Sequence, residues 1–243
     1  MVESNRISDK ERFGQQPLLR DVLAEFTFKP GRLIPSHVNS LNLGVFQEEA
    51  RQLANTCFLT DDNRDSGKLV YVTGKKKVLV PIRFFQAYEK GVLAMLGITS
   101  QVRKNIAEKE QLDDPYIAMT IHTSGNTDLA FSSTDLCLLM LADSNPGASV
   151  ASFIAGRTKN MIFFRGQNTP QLDSEEAEKK ARLWRWQLRE RIDRFIKPGM
   201  SREEGFLIID KAERALLRQI CEKYDLQFFS GETDSATVTK QTP

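Results

Sequence analysis

Two helix-start signatures near the C-terminal end constrain the fold most. Asp173 and Glu176 have the D-x-x-E spacing of a capped helix, and Ala177, Ala181, Trp184, Leu188, Ile192 and Phe195 then recur at steps of three and four until Pro198-Gly199. Ser201 and Glu204 repeat the signature, and Ala212, Leu216, Ile220 and Tyr224 continue an apolar stripe. The spacing predicts a helical hairpin over residues 173–224. Such a hairpin needs an apolar body to rest on, and a chain of 243 residues with 40% hydrophobic content supplies one.

The rest of the chain reads less sharply. Residues 1–17 are polar and predict a flexible N-terminus, and the sparse apolar content of residues 230–243 predicts a disordered tail, leaving 18–229 as a single globular domain. LLRDVLAEFTF, residues 18–28, allows a helix or a strand, and VFQEEARQLANTCF, residues 45–58, has helical spacing. KLVYVT, residues 68–73, is rich in β-formers, MIFF at 161–164 suits a short strand, and residues 136–142 form a buried segment of helical length. DDPY at 113–116 can stop one helix and start another.

Several function classes lack their residues. Cys57, Cys137 and Cys221 form no C-x-x-C pair, which predicts reduced thiols and neither a zinc site nor a disulfide framework. His37 and His122 are the only histidines. His122, within TIHTSGNTD, has serine, threonine and aspartate neighbours, but a loop or surface histidine is the simpler expectation. No phosphate loop, dinucleotide turn, H-E-x-x-H helix or nucleophile elbow occurs, so the expectation is a protein that is not an enzyme and takes no cofactor, metal or small-molecule substrate. No apolar run reaches membrane-spanning length and the N-terminus has no signal-type apolar segment, which predicts a cytoplasmic protein without a membrane partner.

The formal charge is only +2, from 34 basic and 32 acidic residues, so any electrostatic signal must be local. It is local in two places. Lys179, Lys180, Arg182, Arg185, Arg189, Arg191, Arg194 and Lys197 fall in one helix, with Arg182, Arg185 and Arg189 on a shared face and Trp184 on the apolar side. That face fits an accessory phosphate or protein-partner contact, or a solvated face paired with acidic neighbours. The second place is GKKKVLVPIRFFQAYEKGVLAMLGITSQVRKNI. Lys75, Lys76 and Lys77 lead into Val78-Leu79-Val80, and Pro81 closes the run. Phe84, Tyr88, Val92 and Met95 then recur at helical spacing, Gly97 suits a C-cap, and Thr99 or Ser100 can cap a second helix with Arg103 and Lys104 outside. The lysines also suit the guarded edge of a sheet.

Strand, helix, turn and helix in this order resemble the ribbon-helix-helix DNA-binding fold, in which strands from two chains pair and enter the major groove. GKKKVLVPIRFF and LDDPYIA further resemble a family encoded on integrating conjugative elements, the AcaB-like conjugation regulators of IncC-type plasmids. The fold class expected on this basis is α+β, mainly α: a ribbon-helix-helix-like unit at 74–111, with a strand at 75–81 and helices at 83–96 and 99–111, embedded in a larger helical domain. The resemblance implies a homodimeric, sequence-specific transcriptional regulator, an activator of conjugative transfer genes, bound to double-stranded promoter DNA. Lys75, Lys77 and Leu79 would face the groove, Thr99 and Ser100 at the start of the second helix would meet a phosphate, and Lys76, Arg103 and Lys104 would complete the DNA-binding set. A rival placement puts the ribbon at KNMIFFR, residues 159–165. The alternative function is a structural or interaction protein of a conjugative DNA-transfer apparatus, gripping a partner through the basic helix 174–197.

Overall fold

The computed structural model describes residues 16–27, 38–59, 65–72, 79–87, 101, 104–105, 107–108, 116–123, 133–142, 148–156 and 158–241. Its strands are β1 (Ser40–Asn42), β2 (Asp65–Val72), β3 (Leu79–Ala87), β4 (Tyr116–His122), β5 (Ala151–Ala155), β6 (Lys159–Arg165), β7 (Leu226–Glu232) and β8 (Thr237–Lys240). They form one eight-stranded sheet in the order β1-β8-β7-β6-β5-β4-β2-β3. The helices are α1 (Leu19–Thr27), α2 (Val45–Leu59), α3 (Ser133–Leu139), α4 (Ser174–Asp193) and α5 (Arg202–Tyr224). Among the described strands only β4 and β5 pair in parallel, and α3 lies in the connection between them.

Helices cover both faces because the central strands are apolar on both. Alternate residues of a strand point to opposite sides. Phe153 of β5, Ile162 and Phe164 of β6 and Phe229 of β7 pack in one cluster with Leu19, Val22 and Leu23 of α1 and Phe46, Ala50 and Leu53 of α2. Ile154, Phe163 and Leu226 pack in the opposite cluster with α3, α4 and α5. Phe163 stacks on Phe228 at 4.8 Å in that second layer. Each such burial contributes roughly 1.5–3 kcal/mol against exposure, so the two clusters hold the sheet between its helices.

The mainly helical expectation fails at the segment from which it came. Leu79–Ala87 is one strand in an antiparallel hairpin with β2, so residues 83–87 are extended where a helix over 83–96 was expected. Pro81 does not end the strand. The ladder register shifts between Leu69, opposite Arg83, and Tyr71, opposite Val80, so Pro81 falls in the irregularity, and β3 is the outermost strand of the sheet. At such a position the missing N–H removes no regular ladder bond. Gln101, Lys104, Asn105, Ala107 and Glu108 are helical, as expected for 99–111, but residues 73–78 and 88–100 lie outside the described residues. This is an α/β sandwich around a large sheet and not a ribbon-helix-helix unit in a helical body.

Three further expectations are corrected. Tyr116 opens β4 rather than a helix. KNMIFFR is β6, hydrogen-bonded to β5 on one side and β7 on the other, so it offers no free edge to a second chain. The disordered tail is also overturned, because residues 230–240 complete β7 and form β8, which pairs with β1 and β7. Its polar composition misleads: Val238 alone enters the core while its strand neighbours stay at the rim. At the other end Pro17 is buried and its carbonyl accepts from the Asn42 N–H at 3.0 Å, while residues 1–15 lie outside the described residues.

The hairpin of α4 and α5 is built by local chemistry. Asp173 Oδ1 accepts from the Glu175 and Glu176 N–H groups at 2.9 and 2.8 Å. Ser201 and Glu204 close a reciprocal capping box. At the far end α5 stops at Asp225, which adopts the left-handed conformation at φ 52°. Asp225 Oδ2 accepts from the Asn168 N–H at 2.7 Å and its carbonyl accepts from the Thr169 hydroxyl at 2.9 Å. Gly166 lies against this cap, and a Cβ there would stand 2.0 Å from the Asp225 carbonyl oxygen. Gly166→Ala therefore forces backbone apart, and urea titration is expected to show a loss of about 1–3 kcal/mol.

Candidate functional site

The exposed face of α4 carries the basic side chains expected of it and one aromatic the sequence did not single out. Trp184 is 3% exposed and meets the Tyr224 ring at 5.4 Å, as its apolar-side assignment requires. Trp186 is 58% exposed. Helical spacing sets it four residues after Arg182 and three before Arg189, beside Arg185. The signal was present in that spacing but was masked by the neighbouring Trp184, which satisfies the apolar stripe.

These arginines are tethered unequally. Arg182 Nε lies 2.9 Å from Glu178 Oε1, Arg185 Nη2 lies 3.7 Å from the same oxygen, and Arg189 Nε lies 3.7 Å from Asp193 Oδ2. All three guanidinium side chains are substantially exposed, but Glu178 is buried, so Arg182 and Arg185 balance a nearly inaccessible carboxylate and only the Arg189–Asp193 pair is a solvated one that exchanges readily for an incoming anion. Other basic residues of the helix are committed elsewhere. Lys180 donates to the Tyr224 hydroxyl at 3.3 Å and lies over its ring, and Lys179 pairs with Glu175 at 2.7 Å.

Of the expected ribbon residues, only Leu79 and Lys104 fall among the described residues. Lys75, Lys76, Lys77, Thr99, Ser100 and Arg103 lie outside the described residues. Leu79 opens β3 opposite Val72, and Lys104 is a helical residue 4.0 Å from Glu108. Leu79, Lys104 and the arginines thus belong to three different elements.

A second cluster forms where β4 hands the chain to α3. Met119 and Ile121 face the α1–α2 layer, so strand alternation turns Thr120 and His122 toward the opposite side. Asp135, in the first turn of α3, meets His122 there: Nε2 stands 2.8 Å from Oδ2, with side chains 11% and 5% exposed. The expected loop or surface histidine is therefore a buried one at a strand end. Its neighbours across the ladder are Gly67, which brings no side chain, and Ile154. Thr123, next after His122, and Ser133, two residues before Asp135, are also buried, and Thr120 Oγ1 stands 3.4 Å from Ser152 Oγ. A carboxylate against an imidazole can fix the ring and hold a proton on it. His37 lies outside the described residues.

Two cysteines are described, and both are buried. Burial pushes the Cys137 and Cys221 thiols up to about 12, which keeps them from acting as thiolate nucleophiles. Among the described residues, no three His, Cys, Asp or Glu side chains gather as metal ligands, and no helix is long and apolar enough to cross a membrane. No family model, curated protein or solved structure matches the chain.

Proposed function

We propose that the protein is a DNA-binding regulator of conjugative transfer genes that contacts DNA through the outer face of α4 rather than through a ribbon. The observation that carries this reading is Trp186, 58% exposed among Arg182, Arg185 and Arg189. Guanidinium groups match phosphate oxygens in bidentate geometry, and an exposed indole stacks on a base or wedges between bases. All three guanidinium groups stay exposed while paired, so a phosphate can approach them from solvent. Lys75, Lys76 and Lys77, in the residues that connect β2 to β3, add a second basic element to the same reading.

Fluorescence anisotropy with labelled promoter duplex and with the matching single strand tests it. Affinity is expected to fall steeply with salt, and the triple variant R182A/R185A/R189A to weaken binding at least tenfold and lower the salt slope by about three. Trp186→Ala should weaken the single strand more than the duplex if the indole stacks on unpaired bases. Loss in K75A/K77A with an unchanged arginine variant would move the contact to the β2–β3 connection. Absence of binding to either form would sink the DNA reading and leave the alternative, a component of the transfer apparatus that grips a protein through the same helix.

A further inference from the structure

Glu178, 8% exposed, is the acidic side chain that α4 buries, where Glu175, Glu176 and Asp193 stay outside. A carboxylate there costs free energy unless cations answer it. Arg182, one helical turn on, donates from Nε to Glu178 Oε1 at 2.9 Å, and Arg185, two turns on, brings Nη2 to 3.7 Å from the same oxygen. Burial dominates the raised Cys137 thiol of α3, and the charges of Lys180, Glu178, Asp135 and Arg185 also reach it, which puts Glu178 at the seam between α3 and α4. The two arginines are thus fixed at one end and wet at the other. Their side chains remain 71% and 43% exposed while Glu178 holds them. The bond to Arg182 engages Nε, and the terminal nitrogens lie beyond it along the side chain. Arg189 differs, because its partner Asp193 is itself exposed.

We propose that Glu178 is a positioning residue for phosphate: it holds the Arg182 and Arg185 guanidinium groups in the orientation in which they meet a nucleic-acid backbone, an inference that rests on the DNA reading of α4. Binding a phosphate ordinarily immobilises a flexible arginine, and a carboxylate that has already ordered two of them removes that cost. The sign of the effect distinguishes this role from plain electrostatics. As a bare charge Glu178 repels phosphate, so its removal would tighten binding. As an anchor it strengthens binding, so its removal loosens it despite the gain in positive charge.

Fluorescence anisotropy of the full chain with labelled duplex DNA of mixed sequence tests that sign, since phosphate contacts do not depend on sequence. Glu178→Ala is expected to weaken binding about tenfold, and Glu178→Gln, which keeps an acceptor oxygen for the Arg182 Nε–H, by about twofold at most. In the R182Q/R185Q background Glu178→Ala is expected to change affinity by less than about twofold, because the groups that it positions are gone. A merely structural Glu178 would lower affinity equally in both backgrounds. Arginine side-chain NMR of the free wild type supplies a readout that needs neither DNA nor a folded Glu178→Ala: the Arg182 Nε–H is expected to be ordered and that of Arg189 mobile. Tighter or unchanged binding by Glu178→Ala, an equal loss in the R182Q/R185Q background, or an Arg182 Nε–H as mobile as that of Arg189 overturns the inference and leaves the DNA reading in place. A wild type that binds neither duplex nor single strand sinks the DNA reading and this inference with it.

Discussion

Replacing Glu213 with glutamine is expected to stabilise the protein by about 3 kcal/mol at pH 8.5 and to change it little at pH 4, a difference read from urea unfolding at a series of pH values. Glu213 lies on α5 at the flank of the stripe formed by Ala212, Leu216 and Ile220, and burial, with a smaller contribution from the charge of Asp210, raises its carboxyl from 4.5 to about 8. Below about pH 4.5 the carboxyl is protonated in both the folded and the unfolded chain and costs nothing. Between there and about pH 8 the unfolded chain releases the proton and gains hydration while the folded chain keeps it, so stability declines as pH rises. Above about pH 8 both states are ionised and the loss is complete. A shift of this size corresponds to at most ~5 kcal/mol, and partial exposure of the side chain brings the expected value down toward 3. Glutamine keeps the shape without the titration. Parallel wild-type and variant stability curves across pH 4 to 8.5 would show that the Glu213 carboxyl is hydrated in the folded protein.

The parts of this fold legible in the sequence are those fixed by local chemistry. Asp173, Ser201 and Glu204 announce their caps because each cap closes within a few residues, and the stripes of α4 and α5 repeat often enough to set a period. The β3 segment failed for the opposite reason. Phe84 and Tyr88 fit a helical step, but Leu79, Ile82 and Phe84 also fit a strand interrupted by an irregularity, and Pro81 read alone looks like an end rather than a bulge. The strands β7 and β8 have too few apolar residues to stand out, since Phe229 and Val238 enter the core only through pairing with distant strands. Likewise, the arginine face of α4 could be read from spacing, whereas the meeting of His122 with Asp135 depends on the crossover from β4 through α3 to the parallel β5. No spacing rule applied to TIHTSGNTD contains that crossover.

That crossover makes the His122–Asp135 pair the second point of large expected effect. The two side chains come from different elements, the last residue of β4 and the first turn of α3, and lie 2.8 Å apart at 11% and 5% exposure. Polar groups so far from water cost free energy that is recovered only through close charge complementarity and hydrogen bonding, so removing one member is more damaging than the pair's net worth. Asp135→Ala and His122→Ala are each expected to cost about 3–5 kcal/mol in urea unfolding, the first by taking the carboxylate from the imidazole, the second by taking the imidazole from a nearly inaccessible carboxylate. The double variant should cost less than the sum by about 1–3 kcal/mol, since the second substitution removes the group that the first left behind. Strict additivity would mean that the two groups are stabilised independently and that α3 is not fastened to the sheet through them. The expected coupling would instead identify this contact as the joint that sets α3 over the end of β4, and α3 is the helix on which α4, with Trp186 and its arginines, is packed.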